Sequence, residues 1–119
     1  MDVSGLIILK EPLDLILSGE KTWELRGKVC HKRGLIGLIE SKSGTVVGTT
    51  ELVDCVGPLS VADINKNLKK LGVSKNLKSL DQLRYETPYA WVLQNAKRFK
   101  KPIPYKHKSG VVVWHPVTI

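Results

Sequence analysis

Cysteine is scarce in this chain, with only Cys30 and Cys55 among 119 residues. Two cysteines cannot build a disulfide framework, so we expect free thiols in a reducing compartment. The three histidines show no metal-ligand spacing, and neither a metal nor another cofactor is predicted. No apolar run approaches the roughly 20 residues that cross a bilayer, and residues 1–5 lack the basic lead of a signal peptide. The sequence therefore favours a cytoplasmic protein that does not bind membranes.

Acidic residues are scarce in the second half of the chain. Residues 1–64 hold seven Lys/Arg and nine Asp/Glu, whereas residues 65–119 hold twelve Lys/Arg against only Asp81 and Glu86. The net charge of +8 is therefore the sum of −2 in the first part and +10 in the second. Such asymmetry is typical of a surface that binds polyanions. Lysines that only keep a small domain soluble would give the same composition.

Repeats, low-complexity tracts and linkers are also missing, so one domain is predicted over residues 1–119. Helices are expected between Pro12 and Gly19 and, after a Ser60–Asp63 capping box, up to Gly72, with a shorter piece over residues 77–83. Hydrophobic patterning predicts strands at 6–9, 22–26, 34–39, 45–56, 89–99 and 111–114. This order favours the α+β class, as a small mixed β-barrel with a short N-terminal helix and a helical insertion.

The stretch Ser18–Lys28 holds the most prominent candidate site. Its side chains alternate, so that Thr22, Glu24 and Arg26 share the polar face of a short strand. Lys21 stands directly before them and could act as a nucleophile or general base if burial lowered its pKa, or as a fixed cation. A purely structural ion-pair network with Glu24 and Arg26 fits the same pattern.

A second candidate surface lies near the end of the chain, where basic residues are interleaved with rings. Cations suit the phosphates of single-stranded nucleic acid while aromatic rings stack on its bases. A lysine-rich edge strand that resists aggregation is the alternative. The candidate binding residues of this surface are Lys97, Arg98, Lys100, Lys101, Tyr105, Lys106 and Lys108.

Three segments together resemble the ASCH domain family: "GEKTWELR", "RGLIGLIESKSGTVVGTTELVD" and "YAWVLQNAKRFKKPIPYKHKSGVVVW". The resemblance covers nearly the whole chain. It implies a PUA-like β-barrel with a cleft that the first helix partly roofs and whose wall carries the Lys-Thr-x-x-x-Arg strand. It also implies RNA or DNA binding and, in some members, hydrolysis, either of N4-acetylcytidine or of RNA.

The resemblance assigns Lys21, Thr22 and Arg26 to the shared element and places Lys42 near the mouth of the cleft. In the deacylating members the residue three after the Lys is a catalytic Thr, whereas Glu24 stands there in this chain. A later Glu also matters in those members, and Glu86 is the candidate here.

These observations predict a nucleic-acid-binding domain whose partner is RNA, single-stranded nucleic acid or a nucleoside. A small hydrolase, an amidohydrolase or ribonuclease with Lys21, Glu24 and Glu86 as catalytic residues, is the first alternative. A domain that binds an acidic protein through the same basic surface is the second.

Overall fold

Six strands form one mixed sheet in the computed structural model, which describes residues 1–119. They lie in the order β2-β5-β4-β3-β1-β6, in which β1 and β3 are parallel and the other neighbours are antiparallel. The class is therefore α+β, as predicted. The strands are β1 (Asp2–Ile8), β2 (Trp23–Arg26), β3 (Gly34–Glu40), β4 (Thr45–Val56), β5 (Tyr89–Pro104) and β6 (Trp114–Thr118).

The helices are few and short. The first, α1 (Lys10–Ser18), connects β1 to β2 and ends at Gly19, whose φ of 86° is the left-handed conformation that suits glycine. The insertion between β4 and β5 contains α2 (Val61–Lys66), α3 (Leu68–Leu71) and a 3₁₀ turn over Leu80–Gln82. None of these helices has the length and apolar character that spanning a membrane requires.

The predicted capping box starts α2, but the predicted single helix is interrupted. The Ser60 hydroxyl accepts the Asp63 N–H at 3.1 Å, and the Asp63 carboxylate accepts the Ser60 N–H at 2.9 Å. At Asn67 the backbone leaves helical geometry, with φ −126°, and the Asn67 side chain donates to the Asp63 carbonyl at 2.7 Å. Because an Asn side chain competes with the backbone for hydrogen bonds, the chain forms two short helices instead of one.

The prediction of a last buried strand over residues 111–114 was wrong. The strand β6 begins only at Trp114, and Val112 is 75% exposed. Gly110, with φ +87°, turns the chain just before this valine run. The apolar run therefore belongs to a loop that borders a cleft, where side chains can be partly buried without a ladder of backbone hydrogen bonds.

The core divides into three apolar clusters. In the largest, Leu13 and Ile16 of α1 pack against residues of the sheet that include Leu6, Leu38 and Leu93. A second cluster lies beneath the insertion and a third lies near β6. Helix α1 and the insertion are therefore both anchored by apolar burial, which fixes the segments next to them, residues 19–22 and 84–88.

The sheet curls strongly, so that strands far apart in the hydrogen-bonded order come together. The rings of Trp91 in β5 and Trp114 in β6 stack with centroids 5.7 Å apart, although three strands separate β5 from β6 in the sheet. On the same side, Arg26 of β2 donates a hydrogen bond from Nη2 to the carbonyl of Ile7 in β1 at 3.0 Å. Side chains therefore join the two ends of the sheet and enclose a recess beside β2.

Candidate functional site

Lys21 lies two residues before β2, and its side chain is buried and makes three polar contacts. Its Nζ donates to the carbonyl oxygens of Trp23 at 2.6 Å and Leu71 at 2.9 Å, and lies 3.6 Å from Oε1 of Glu24. Burial lowers the pKa of Lys21, while the attraction of the Glu24 carboxylate opposes that shift. The three contacts match the three protons of an ammonium group, so this lysine joins α3 to β2.

Glu24 lies between the two cations of the network. Its Oε2 accepts hydrogen bonds from Arg26 Nε at 3.1 Å and Nη2 at 2.8 Å, while Oε1 faces Lys21. Glu24 is 7% exposed and Arg26 is half-buried. A carboxylate that serves two cations at once offsets much of the desolvation that each would otherwise suffer.

The geometry favours the structural interpretation of Lys21 over a nucleophilic role. An ammonium group that donates to two carbonyls holds its protons and has no free electron pair. Thr22 is held through its main chain, its N–H donating to the Lys70 carbonyl at 2.9 Å and its carbonyl accepting the Leu93 N–H at 2.8 Å. The catalytic role of Lys21 and the ligand contact of Thr22 stay predictions.

Two adjoining clefts open beside this network. The cation cleft, about 440 Å³, is lined by residues that include Arg26, Lys28, Arg84, Tyr85, Glu86 and Trp91. The central cleft, about 430 Å³, shares Arg26, Arg84 and Tyr85 with it and continues past Glu24 to Ile7 and Ser41. Arg26 and Glu86 therefore meet in one recess, Glu24 borders the next, and Lys21 lines neither.

A family model for the ASCH domain matches residues 6–103 of the chain. The chain belongs to the ASCH domain family. The match includes the Lys-Thr-x-x-x-Arg element and most of β5, which are the segments that carried the resemblance in the sequence. No curated protein sequence matches the chain.

Solved structures of other ASCH proteins share the fold. The crystal structure of ASCH from Zymomonas mobilis is similar with a TM-score of 0.68 and 19% identity, covering 85% of this chain and 72% of that one. A variant of the same protein, ZmASCH, gives a TM-score of 0.68 and 19% identity, with 85% and 74% covered. At this level of identity the likeness shows the fold alone.

In this ASCH domain the basic part of β5 lies away from both clefts. Arg98 donates to Asp14 of α1 at 3.1 Å, so its charge is partly used within the protein. Lys97 is exposed, and so are Lys100 and Lys101. The last two lie where Val46 pairs with Ile103 and Gly48 with Arg98, so that β5 bulges outward between these pairs. The bulge leaves both lysines free to meet a ligand in solvent.

Two of the remaining predicted residues, Lys42 and Tyr105, line a third cleft at the β3–β4 turn. This turn cleft, about 620 Å³, is lined by residues that include Ile7, Ser41, Lys42, Tyr105, His107 and Val112. The hydroxyl of Tyr105 lies 2.8 Å from Nδ1 of His107, and burial raises the pKa of Tyr105 above its usual value. Lys106 and Lys108 are exposed and lie outside this lining.

Sequence reasoning missed the Arg84–Tyr85 pair, which lines both the cation cleft and the central cleft. Lys28 and His107 were also missed as lining residues. A basic residue beside a ring in the loop before Pro88 was the available signal, since this is the same combination that singled out the segment 97–108. Its placement depends on the close packing of Tyr85 on Gly27, where an added Cβ would lie 2.7 Å from the ring.

Proposed function

We propose that this ASCH domain binds single-stranded RNA and holds a nucleotide in the cation cleft. The basic second half of the chain would attract the polyanion, and the cleft would take a phosphate and its base. Membership of the family supports the proposal, because the resemblance implies binding of RNA or DNA.

The single observation that carries the proposal is the placement of Arg26. Its Nε and Nη2 are bound to Glu24 and Ile7, and its guanidinium lies 5.6 Å from the ring centroid of Trp91. Its Nη1 makes none of these bonds and is not a buried atom without a partner, so Nη1 keeps some exposure on a residue that lines both clefts. The protein therefore presents a fixed, charged donor to any ligand there, which is the geometry that suits a phosphate oxygen.

The surroundings of Arg26 fit a nucleotide. Lys28 and Arg84 are exposed and add two more cations to the cleft. The half-buried ring of Tyr85 packs on Gly27 and offers a surface on which a base can stack. Within this cleft the cations suit the phosphate of a nucleotide, and the ring suits its base.

Fluorescence anisotropy with a labelled single-stranded RNA hexamer tests the proposal. Affinity should fall steeply between 50 and 200 mM salt, because each phosphate contact releases a counterion. Arg84→Gln should weaken binding by about five- to tenfold, the loss expected of a charge-assisted contact. Lys66→Gln, which removes the same charge from the insertion, should change it by less than about twofold. Salt-insensitive binding, no binding, or equal effects of the two variants would contradict the proposal.

Hydrolysis of a modified nucleoside or of RNA is the second candidate, and the position of Glu86 favours it. Glu86 is exposed in the same cleft as Arg26 and makes no hydrogen bond or ion pair, so its carboxylate is available to move a proton. Incubation with N4-acetylcytidine and with RNA would show turnover, and Glu86→Gln should abolish it. Turnover that survives Glu86→Gln would remove this mechanism.

We also infer that the curled sheet is a PUA-like barrel. The stacking of Trp91 on Trp114 and the bond from Arg26 to Ile7 support this inference, because both join strands from opposite ends of the sheet. A solved structure in which β2 and β6 lie far apart would contradict it.

A further inference from the structure

The cation, central and turn clefts adjoin one another through shared lining residues. The first two share Arg26, Arg84 and Tyr85. The central and turn clefts share Ile7, Ser41 and Val112. We call these three adjoining clefts the groove, which extends from β2, past the end of β1, to the β3–β4 turn.

Cations occur at both ends of the groove, each beside aromatic rings. Its first end carries Arg26, Lys28 and Arg84 together with Glu86. Its middle combines apolar residues such as Ile8 and Leu9 with the carboxylate of Glu24 and with the shared Arg26 and Arg84. Its far end again combines a cation with rings, namely Lys42, Tyr105 and His107. Cations beside rings at both ends of the groove fit the phosphates and bases of a single strand.

The far end is held in place before any ligand arrives. The Tyr105 N–H donates to the carbonyl of Gly44 at 3.0 Å, which ties the end of β5 to the turn. The Ser43 hydroxyl donates to the Glu40 carbonyl at 2.7 Å and braces the same turn. The ring centroids of His107 and His115 lie 5.2 Å apart with an interplanar angle of 29°, so His107 is held by stacking on His115. A site fixed in this way loses little entropy on binding.

We propose that the turn cleft is a second nucleotide subsite, so that the groove takes a single-stranded RNA of about three nucleotides and not a free nucleoside. This inference rests on the proposed function and adds the size class of the ligand. Lys42 would contact the phosphate farthest from Arg26, and the ring of Tyr105 or His107 would stack on the last base. Lys42, which the family resemblance places near the mouth of the cleft, is then part of the site.

Competition against the labelled hexamer gives the affinities of unlabelled mono-, di-, tri- and hexanucleotides on one scale. Affinity should rise by about tenfold or more from the mononucleotide to the trinucleotide and change little beyond it, because each stacked base and phosphate adds a contact. Lys42→Gln should weaken binding of the trinucleotide by about threefold or more and leave the affinity for the mononucleotide unchanged. Lys66→Gln serves as the matched control, since it removes an exposed lysine outside the groove.

A second variant tests the rings. Tyr105→Leu keeps apolar bulk against the third core cluster and removes the stacking surface, so it should also weaken the trinucleotide selectively. If Tyr105→Leu fails to fold, the exposed Lys42→Gln decides alone. Loss of mononucleotide and trinucleotide binding in equal measure, or no effect of Lys42→Gln on either, would overturn the second subsite while the cation cleft stands. If no oligonucleotide of any length binds, the proposed function fails as well.

Discussion

Two groups of charged residues in this ASCH domain are used in opposite ways. In the buried network, Lys21, Glu24 and Arg26 are enclosed and bonded to each other and to backbone carbonyls. Around the bulge of β5, Lys100 and Lys101 stand in solvent without a partner in the protein. The comparison shows that net charge does not predict whether a given charged side chain is bonded within the protein or free in solvent. Lys21 and Glu24 hold elements of the fold together, Arg26 does so while also lining the cleft, and the exposed lysines are available to a polyanion.

Removal of the shared carboxylate should have the largest effect on stability. Glu24→Gln leaves the cations of Lys21 and Arg26 buried without a counter-charge, and we expect the free energy of unfolding to fall by about 3–5 kcal/mol. Urea unfolding measures the change. Glu20→Gln, an exposed neighbour, is the control and should change stability by about 0.5 kcal/mol or less. Equal effects would mean that the network is no more important than surface charge.

Lys21→Met should lower the free energy of unfolding by less, about 2 kcal/mol, because Glu24 keeps its partner Arg26 while the two carbonyls lose a charged donor.

The dependence of stability on pH tests the same residue. The folded pKa of Lys21 lies below its ordinary value of 10.5, so between these two values the unfolded chain binds more protons. Stability from this residue should therefore rise with pH across that window and level off above 10.5. The difference between wild type and Lys21→Met in urea unfolding isolates this slope, and a difference that falls with pH would contradict it.

Gly27→Ala tests the wall of the cation cleft, which borders the buried network. An added Cβ would lie 2.7 Å from the Tyr85 ring, so the ring must move, at a cost of about 1 kcal/mol in the free energy of unfolding and a weaker hold on RNA. A double-mutant cycle supplies the control. In a Tyr85→Ala background the same substitution should cost little, since the clash is gone. A cost that persists there would show that Gly27 is needed for a reason other than Tyr85.

The exposed lysines should matter least for folding and only for binding. Replacing Lys100 and Lys101 together by Gln should leave the urea midpoint unchanged. If both contact phosphates, the slope of log affinity against log salt should become shallower by about 1.4 for single-stranded RNA. An unchanged slope would place the ligand entirely in the groove and away from the bulge of β5.

Local signals in the sequence were enough for part of the fold. The end of α1 at Gly19 and the capping box at Ser60–Asp63 were predicted because each depends on a few neighbouring residues. Membership of the ASCH family was predicted from ordered motifs and is confirmed by the family match. Residues 111–113 were assigned to a strand in error, because a short apolar run reads alike in a strand and in a half-buried loop.

The candidate site was less accessible to sequence reasoning. The alternation of residues 22–26 placed Glu24 and Arg26 on one face, as the structure shows. The carbonyl of Leu71, which engages Lys21 across 50 positions of chain, could not be read from any pattern. Arg84 and Tyr85 reach the cleft only because the insertion folds back over β2, and that contact is set by tertiary packing.

The shared use of Arg26 limits how this protein can change. Its guanidinium joins β2 to β1 through Nη2, and the residue also lines the cleft, so a substitution of Arg26 that altered ligand binding would also loosen the sheet. Residues 84–87 belong to no strand or helix, so they do not join strands as Arg26 does. Diversity in ligand preference among proteins built this way should therefore accumulate in that short loop, while the arginine stays constant.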